Sequence, residues 1–282
     1  MREGTMKCYK YTGFILAALL VMIGLAGCDS DNGDAPLDPP SAPNLQHVEM
    51  DFSVFEDAQG GFDLSEQGIT LRPEMPDMTS MPVGDERAFQ EAALFAMMSQ
   101  SVFMSVRAWE GMFFNEMQFL WGEPSCDSSS CVWEFTIPAG LIDDEFEDID
   151  VTGDISVTME ATFQAGTWNW ELAFTHEGLG FDNAVMITVS QEEDLSEGSW
   201  RFHDPENPGA GPVIVFDYQY DGNITTWVEM RVDSEGISLE YTNDNGDYTL
   251  SIVMEGMEVA FIDWSSDGSG CITTPQDGTN CW

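Results

Sequence analysis

The sequence predicts a mainly β protein: an antiparallel β-meander of about ten strands forming a barrel, half-barrel or sandwich, with one long N-terminal apolar helix packed against it. Three observations predict this. From Cys131 to the C-terminus, short segments alternate apolar with polar residues, as strands with one buried face do. Gly-, Asn- and Asp-rich turns separate these segments, each built from residues that tolerate tight backbone conformations. Ahead of them lies one long stretch that is apolar most of the way round a helix, which implies burial on more than one side.

In chain order, residues 46–55 (QHVEMDFSVF) place Val48, Met50, Phe52 and Val54 on one face, the pattern of a first strand. Residues 56–84 are rich in Gly, Pro, Met and acid and read as a long surface connection. Asp85 is a good N-cap with Glu86 in the first turn, so a helix is expected over about 85–121, interrupted near Gly111. Inside it, Gln90, Glu91, Ser99, Gln100, Ser101 and Ser105 argue against a membrane span over 88–106 and for burial within the domain. The meander follows over about 131–282. Its clearest hairpin alternates Ile155, Val157, Met159, Ala161 and Phe163, turns at Gln164-Ala165-Gly166, and resumes with Trp168, Trp170, Leu172 and Phe174. Further strands are expected at 132–138, 184–190, 198–203, 212–220, 224–232, 236–242, 247–254 and 257–264. The turns between them include Asp221-Gly222-Asn223, Glu235-Gly236 and Asn243-Asp244-Asn245-Gly246. Such a meander must roll up or fold over to bury its apolar face, and the helix is the candidate to cover the open side. No interior linker divides residues 46–282, which are expected to form a single β-rich domain.

The charge balance excludes one class of partner. Beyond residue 27 the chain carries fifty acidic residues against five arginines (72, 87, 107, 201 and 231) and no lysine, a formal charge of −45. Such a surface repels phosphate backbones, so no nucleic-acid partner is expected. A carboxylate-rich, lysine-free surface also stays soluble where high salt screens its self-repulsion, as in a salt-adapted organism.

The N-terminus has the shape of an export signal. Arg2, Lys7 and Lys10 precede an apolar run from Phe14 to Ala26, too short to span a bilayer comfortably. The run closes on Leu25-Ala26-Gly27-Cys28, with Met1 and Met6 both candidate starts. These four residues resemble the lipobox of bacterial lipoproteins: an aliphatic residue, a small one, Gly or Ala, then Cys. The resemblance covers only the first 28 residues, and all four positions match. It implies that residues 1–27 are a signal peptide removed by a lipoprotein signal peptidase. It also implies that Cys28 is diacylated on sulfur, which makes membrane lipid the expected partner through that residue. Two or three acyl chains anchor firmly where one binds marginally, at about 0.8 kcal/mol per buried CH₂. Residues 28–45, with their run of Asp and Pro after the cysteine, are expected to form an extended tether. The implied location is the cell envelope. Acidic residues after Cys28 resemble sorting signals that different bacteria read in opposite senses. The outer membrane or cell surface is the expectation, and the periplasmic face of the inner membrane is the alternative.

Four cysteines remain, an even number in an exported chain, and they are expected to form the local disulfides Cys126–Cys131 and Cys271–Cys281. Zinc is not expected, because C-x₂-C spacing is lacking and only His47, His176 and His203 could assist. No nucleophile elbow, metalloprotease helix, P-loop or dinucleotide fingerprint occurs, so neither an enzyme nor a cofactor is expected. Asp148, Asp150 and Asp154 flank Gly153 as weak calcium candidates without the full loop motif, and Asp263–Gly268 is a second such turn.

Two function classes follow. The first is a membrane-anchored cell-envelope lipoprotein whose β-domain is a non-catalytic binding or structural module for a protein partner. The alternative is a carrier or sensor of a hydrophobic, lipid-like ligand, with Met97, Phe103, Trp109, Trp168 and Trp170 lining a helix-covered half-barrel. A calcium-binding or hydrolytic envelope protein stands third.

Overall fold

A computed structural model of the protein describes residues 37–55, 85–139, 153–205, 207, 209–232 and 236–282. Cys28, Asp148 and Asp150 lie outside the described residues. The chain forms α1 (Asp85–Glu110), continued by a π turn (Gly111–Asn115) and a 3₁₀ turn (Glu116–Leu120). Among the described residues thirteen strands follow: β1 (Ser125–Cys126), β2 (Ser130–Ile137), β3 (Ile155–Gln164), β4 (Thr167–His176), β5 (Phe181–Glu192), β6 (Glu197–His203) and β7 (Pro212–Tyr220). They continue as β8 (Thr225–Val232), β9 (Ile237–Asp244), β10 (Asp247–Met254), β11 (Met257–Ser265), β12 (Gly270–Thr274) and β13 (Gly278–Cys281).

The strands form one antiparallel sheet in sequence order, β1 to β13, each paired with its chain neighbours. The expected meander is therefore present. A closed barrel is not, because β1 and β13 remain the two edges of an open sheet. The count exceeds the expected ten because β1, β12 and β13 are short and carry little apolar alternation. Three hairpins turn on two-residue loops in which both residues have positive φ: Ala165-Gly166, Asn245-Gly246 and Glu255-Gly256. That geometry matches the right-handed twist of the flanking strands.

One face of the sheet is covered. On β7, Ile214, Phe216 and Tyr218 point into it, and on β10 Tyr248, Leu250 and Ile252 do so. The helix lies against this face and crosses the strands. Phe89 meets Trp282 after β13, Phe103 stacks on Phe216 of β7, and Phe114 packs edge-on to Trp170 of β4 and Trp200 of β6. The distances agree: ~38 Å of helix from Phe89 to Phe114, at 1.5 Å per residue, matches ~38 Å for eight strand spacings. Ser99 and Ser105 donate their hydroxyls to the carbonyls of Phe95 and Ser101, both 3.0 Å, which makes a nearly all-round apolar helix buryable. No described helix is long and apolar enough to cross a membrane.

The second cover is a correction to the sequence reading. Residues 46–55 do not form a strand, and residues 37–45 are not free tether. Together they make an irregular strap that crosses the sheet along the tips of alternate hairpins, opposite in direction to α1. The Leu37 N–H donates to the Asp127 carbonyl in the β1–β2 turn, and Gln191 of β5 donates to the Asn44 carbonyl. Further along, the Glu49 N–H donates to Thr225 Oγ1 of β8 and the Asp51 N–H to the Tyr241 hydroxyl of β9. Beyond the buried Pro43, the strap buries Leu45, Val48, Phe52 and Phe55, spaced three or four apart rather than two. The reason is geometric: a chain perpendicular to the strands has no ladder partner to impose the two-residue pleat, so its anchors follow the spacing of the hairpins it crosses.

Both sheet edges are stapled. The disulfides Cys126–Cys131 and Cys271–Cys281 join directly paired residues of β1–β2 and β12–β13. The chain ends on Trp282, whose indole N–H donates to the Gly268 carbonyl at 2.8 Å while its ring meets Phe55 and Phe89.

Candidate functional site

The proposed ligand-lining residues sit at or beside the interface of α1 and the sheet. Met97 and Phe103 are buried on the helix, with the Arg107 guanidinium over the Phe103 ring at 5.9 Å. Trp109 is half-buried and stacks on Phe113, which in turn meets Phe174 of β4. Trp170 stacks on Trp133 at 5.4 Å, and Trp168 packs against Phe163 at the margin. None of the four rings in this set is in ring contact with another of the set. Their ring partners are other residues of the chain: Phe216 for Phe103, Phe113 for Trp109, and Phe114 and Trp133 for Trp170.

Grooves open elsewhere among the described residues. One of 270 Å³ lies between the start of α1 and β11–β12, with Leu94, Met98 and Val259 among its walls. One of 310 Å³ lies over β3 to β6 on the uncovered face, where Glu160 and Glu171 face each other across strands and Arg201 stands two strands away. A third, of 580 Å³, opens between the strap, α1 and the tips of the β7–β8 and β9–β10 hairpins. None of the three is lined by Met97, Phe103, Trp109 or Trp168, and Trp170 contributes to the 310 Å³ groove.

The wall of the 580 Å³ groove is braced from behind. Asp51 accepts the Ser53 N–H at 3.0 Å and the Tyr248 hydroxyl at 2.9 Å. Burial pushes the Asp51 carboxyl up, but the Ser53 side chain, the Ser53 N–H and Tyr248 outweigh it and hold it below the usual carboxylate range. Behind it, burial pushes Tyr218 up to about 12, and its hydroxyl accepts from the Gln191 amide at 2.5 Å. Gly198 on the paired strand is what lets the Tyr218 ring lie there, since any Cβ would fall inside it. His47 sits edge-on to Tyr218 and Tyr220 at 5.4 and 4.9 Å. Burial lowers its pKa, so the ring is neutral at pH 7. Both ring nitrogens are shut off from solvent without a well-formed hydrogen bond, the Leu195 backbone giving partial help.

No protein-family model, curated protein or solved structure matches this chain. Its chemistry therefore has to be read from the side chains.

The remaining candidates are spoken for locally. Asp154 accepts the Ala139 N–H at 3.2 Å. Asp267, in the other calcium candidate, accepts from Ser265 and Ser269, which pull its carboxyl down to about 2. Among the described residues no three His, Cys, Asp or Glu side chains cluster as a metal site. His176 accepts the Leu179 N–H through Nδ1, and His203 pairs with the Thr188 hydroxyl through Nε2 at 3.3 Å. Sequence reasoning missed the groove around His47, because its walls come from residues 47–53, 100, 220–225 and 243–248. No local spacing links such positions.

Proposed function

We propose that this chain is a lipid-anchored protein of the cell envelope whose β-domain is a non-catalytic binding or structural module. The observation that carries the reading is the occupied interior. The protein's own helix and strap cover one face of the sheet, with Phe114 against three tryptophans and Phe52 against Trp264. A carrier needs that space for cargo. Recognition is then left to the groove at the hairpin tips and to the uncovered face. The open, helix-filled sheet is read as a half-barrel rather than a sandwich, since it has one sheet and its second layer is helix and strap.

Lipidation rests on Leu25-Ala26-Gly27-Cys28 after the apolar run, and the disulfides fit an oxidising compartment. The membrane partner is lipid through acylated Cys28, on the outer membrane or cell surface. The test is fractionation of cells expressing the full chain, with and without globomycin. An uncleaved precursor should accumulate with the inhibitor, and Cys28→Ser should free the protein from membranes. A Cys28→Ser protein that stays in the envelope through a high-salt wash would overturn the anchor.

The apolar groove beside α1 favours a second reading, a carrier of a hydrophobic ligand, in which α1 moves aside. Native mass spectrometry of the protein would then show retained lipid, and its absence would leave the binding module alone.

A further inference from the structure

We infer that the 580 Å³ groove at the hairpin tips is a binding site for an uncharged saccharide unit. The inference deepens the binding-module reading by naming a ligand class, and it is independent of the anchor.

Size comes first. The volume falls within the roughly 300–1,000 Å³ of pockets that hold small ligands. Position follows: the groove lies where four elements converge, so its walls are set by the fold rather than by one loop. The strap that forms one wall is pinned to the sheet at Glu49 and Asp51 by hydrogen bonds of 2.8 to 3.1 Å. A wall held this way loses little freedom on binding, which favours affinity for a weakly interacting ligand.

The chemistry of the lining selects the ligand. Tyr220 is half-buried and offers an apolar ring and a hydroxyl, and neutral His47 braces it from the side. An amphipathic ring of this kind suits a partner with one apolar and one hydroxylated face. Around it stand the Glu49 carboxylate, the Asn223 and Gln100 amides and the Ser53 hydroxyl, a mixed set of donors and acceptors. Vicinal hydroxyls, each donor and acceptor at once, match such a set.

Charge removes the competitors. Neither arginine nor lysine lines the groove among the described residues, while Glu49 and Asp51 do. Phosphates, sulfated sugars and uronic acids would meet carboxylates without a counter-charge. A cation would be drawn to the acidic surface everywhere, and both Asp51 oxygens are already engaged. That attraction would give no site.

The experiment is a glycan array carrying neutral, acidic and amino-sugar oligosaccharides, probed with the full-length lipidated protein in detergent. At least one neutral glycan should bind, and its affinity should fall at least tenfold in Asn223→Ala and Tyr220→Ala. Arg201→Ala, on the uncovered face, should leave it unchanged. Asn223 and Glu49 are exposed, so Asn223→Ala and Glu49→Gln keep the test alive if Tyr220→Ala fails to fold. The inference is overturned if no neutral glycan binds, if the rim variants bind like the parent, or if only amino sugars bind and 0.5 M salt (about five times a 0.1 M screening level) abolishes it. None of these outcomes touches the anchor, which Cys28→Ser tests separately.

Discussion

Phe114→Ala tests whether the covered face is sealed by the protein itself. The side chain is 1% exposed and meets Trp121, Trp170 and Trp200 at centroid distances of 6.2, 6.4 and 5.5 Å, all near perpendicular. Truncating a buried Phe to Ala costs about 3–5 kcal/mol, and the loss of three edge-to-face contacts places this site at the upper end. With a guanidinium slope of roughly 4 kcal/mol/M, the unfolding midpoint should fall by about 1 M. Tryptophan emission reports on the same rings. Phe119→Ala is the control, because Phe119 is 74% exposed and should change stability by no more than about 0.5 kcal/mol. A Phe114→Ala shift below about 0.2 M would refute the reasoning, since a ring that costs nothing to remove is not filling a core. It would return the aromatic seam to the carrier reading.

The other predictions concern the edges and two carboxyls, one buried and one on the strap. The disulfides close loops of 5 and 10 residues' separation, for which chain entropy gives about 2 and about 3 kcal/mol. The Cys271→Ala/Cys281→Ala pair should therefore destabilise more than Cys126→Ala/Cys131→Ala in thermal melts, and the reverse order would count against edge stapling at β13. Glu110 is buried, accepts from Asn115 at 2.8 Å and is pushed up by that burial against the help of Asn115, Arg107 and the Leu45 N–H. A carboxyl raised on folding stabilises fully below its unfolded value of about 4.3 and loses that contribution as pH rises through the folded value. Glu110→Gln should accordingly gain on the parent as pH climbs from about 4 towards neutrality, read as denaturation midpoints. Asp51 has the opposite sign: its carboxyl is held down, so Asp51→Asn should lose most at neutral pH and least in acid. Parallel profiles for either variant would contradict the assignment.

Legibility in this sequence followed the direction of the contacts. From Ile155 to Ser265 each strand shows one face to the core and pairs with its neighbour, so the two-residue alternation marks the strands and the turn residues mark their ends. The short strands β1, β12 and β13 escaped. Two to five residues cannot show a period, and disulfides rather than apolar faces hold two of these pairings. The strap escaped for a deeper reason. Val48, Met50, Phe52 and Val54 do alternate, yet from residue 45 onward it is Leu45, Val48, Phe52 and Phe55 that became buried, because the segment runs across the strands. Its partners, Thr225, Tyr241 and Tyr248, lie more than 170 residues away, and nothing local encodes them. The groove at the hairpin tips inherits that difficulty, being made where the strap meets the meander. A meander built from neighbour pairings is cheap to read and, left alone, has an apolar face with nothing on it. The segments that run across it supply both the missing core and the polar cleft at the hairpin tips, so the binding site and the cover arise from the same event. Any change that lifts the strap at Asp51 should therefore remove stability and recognition together.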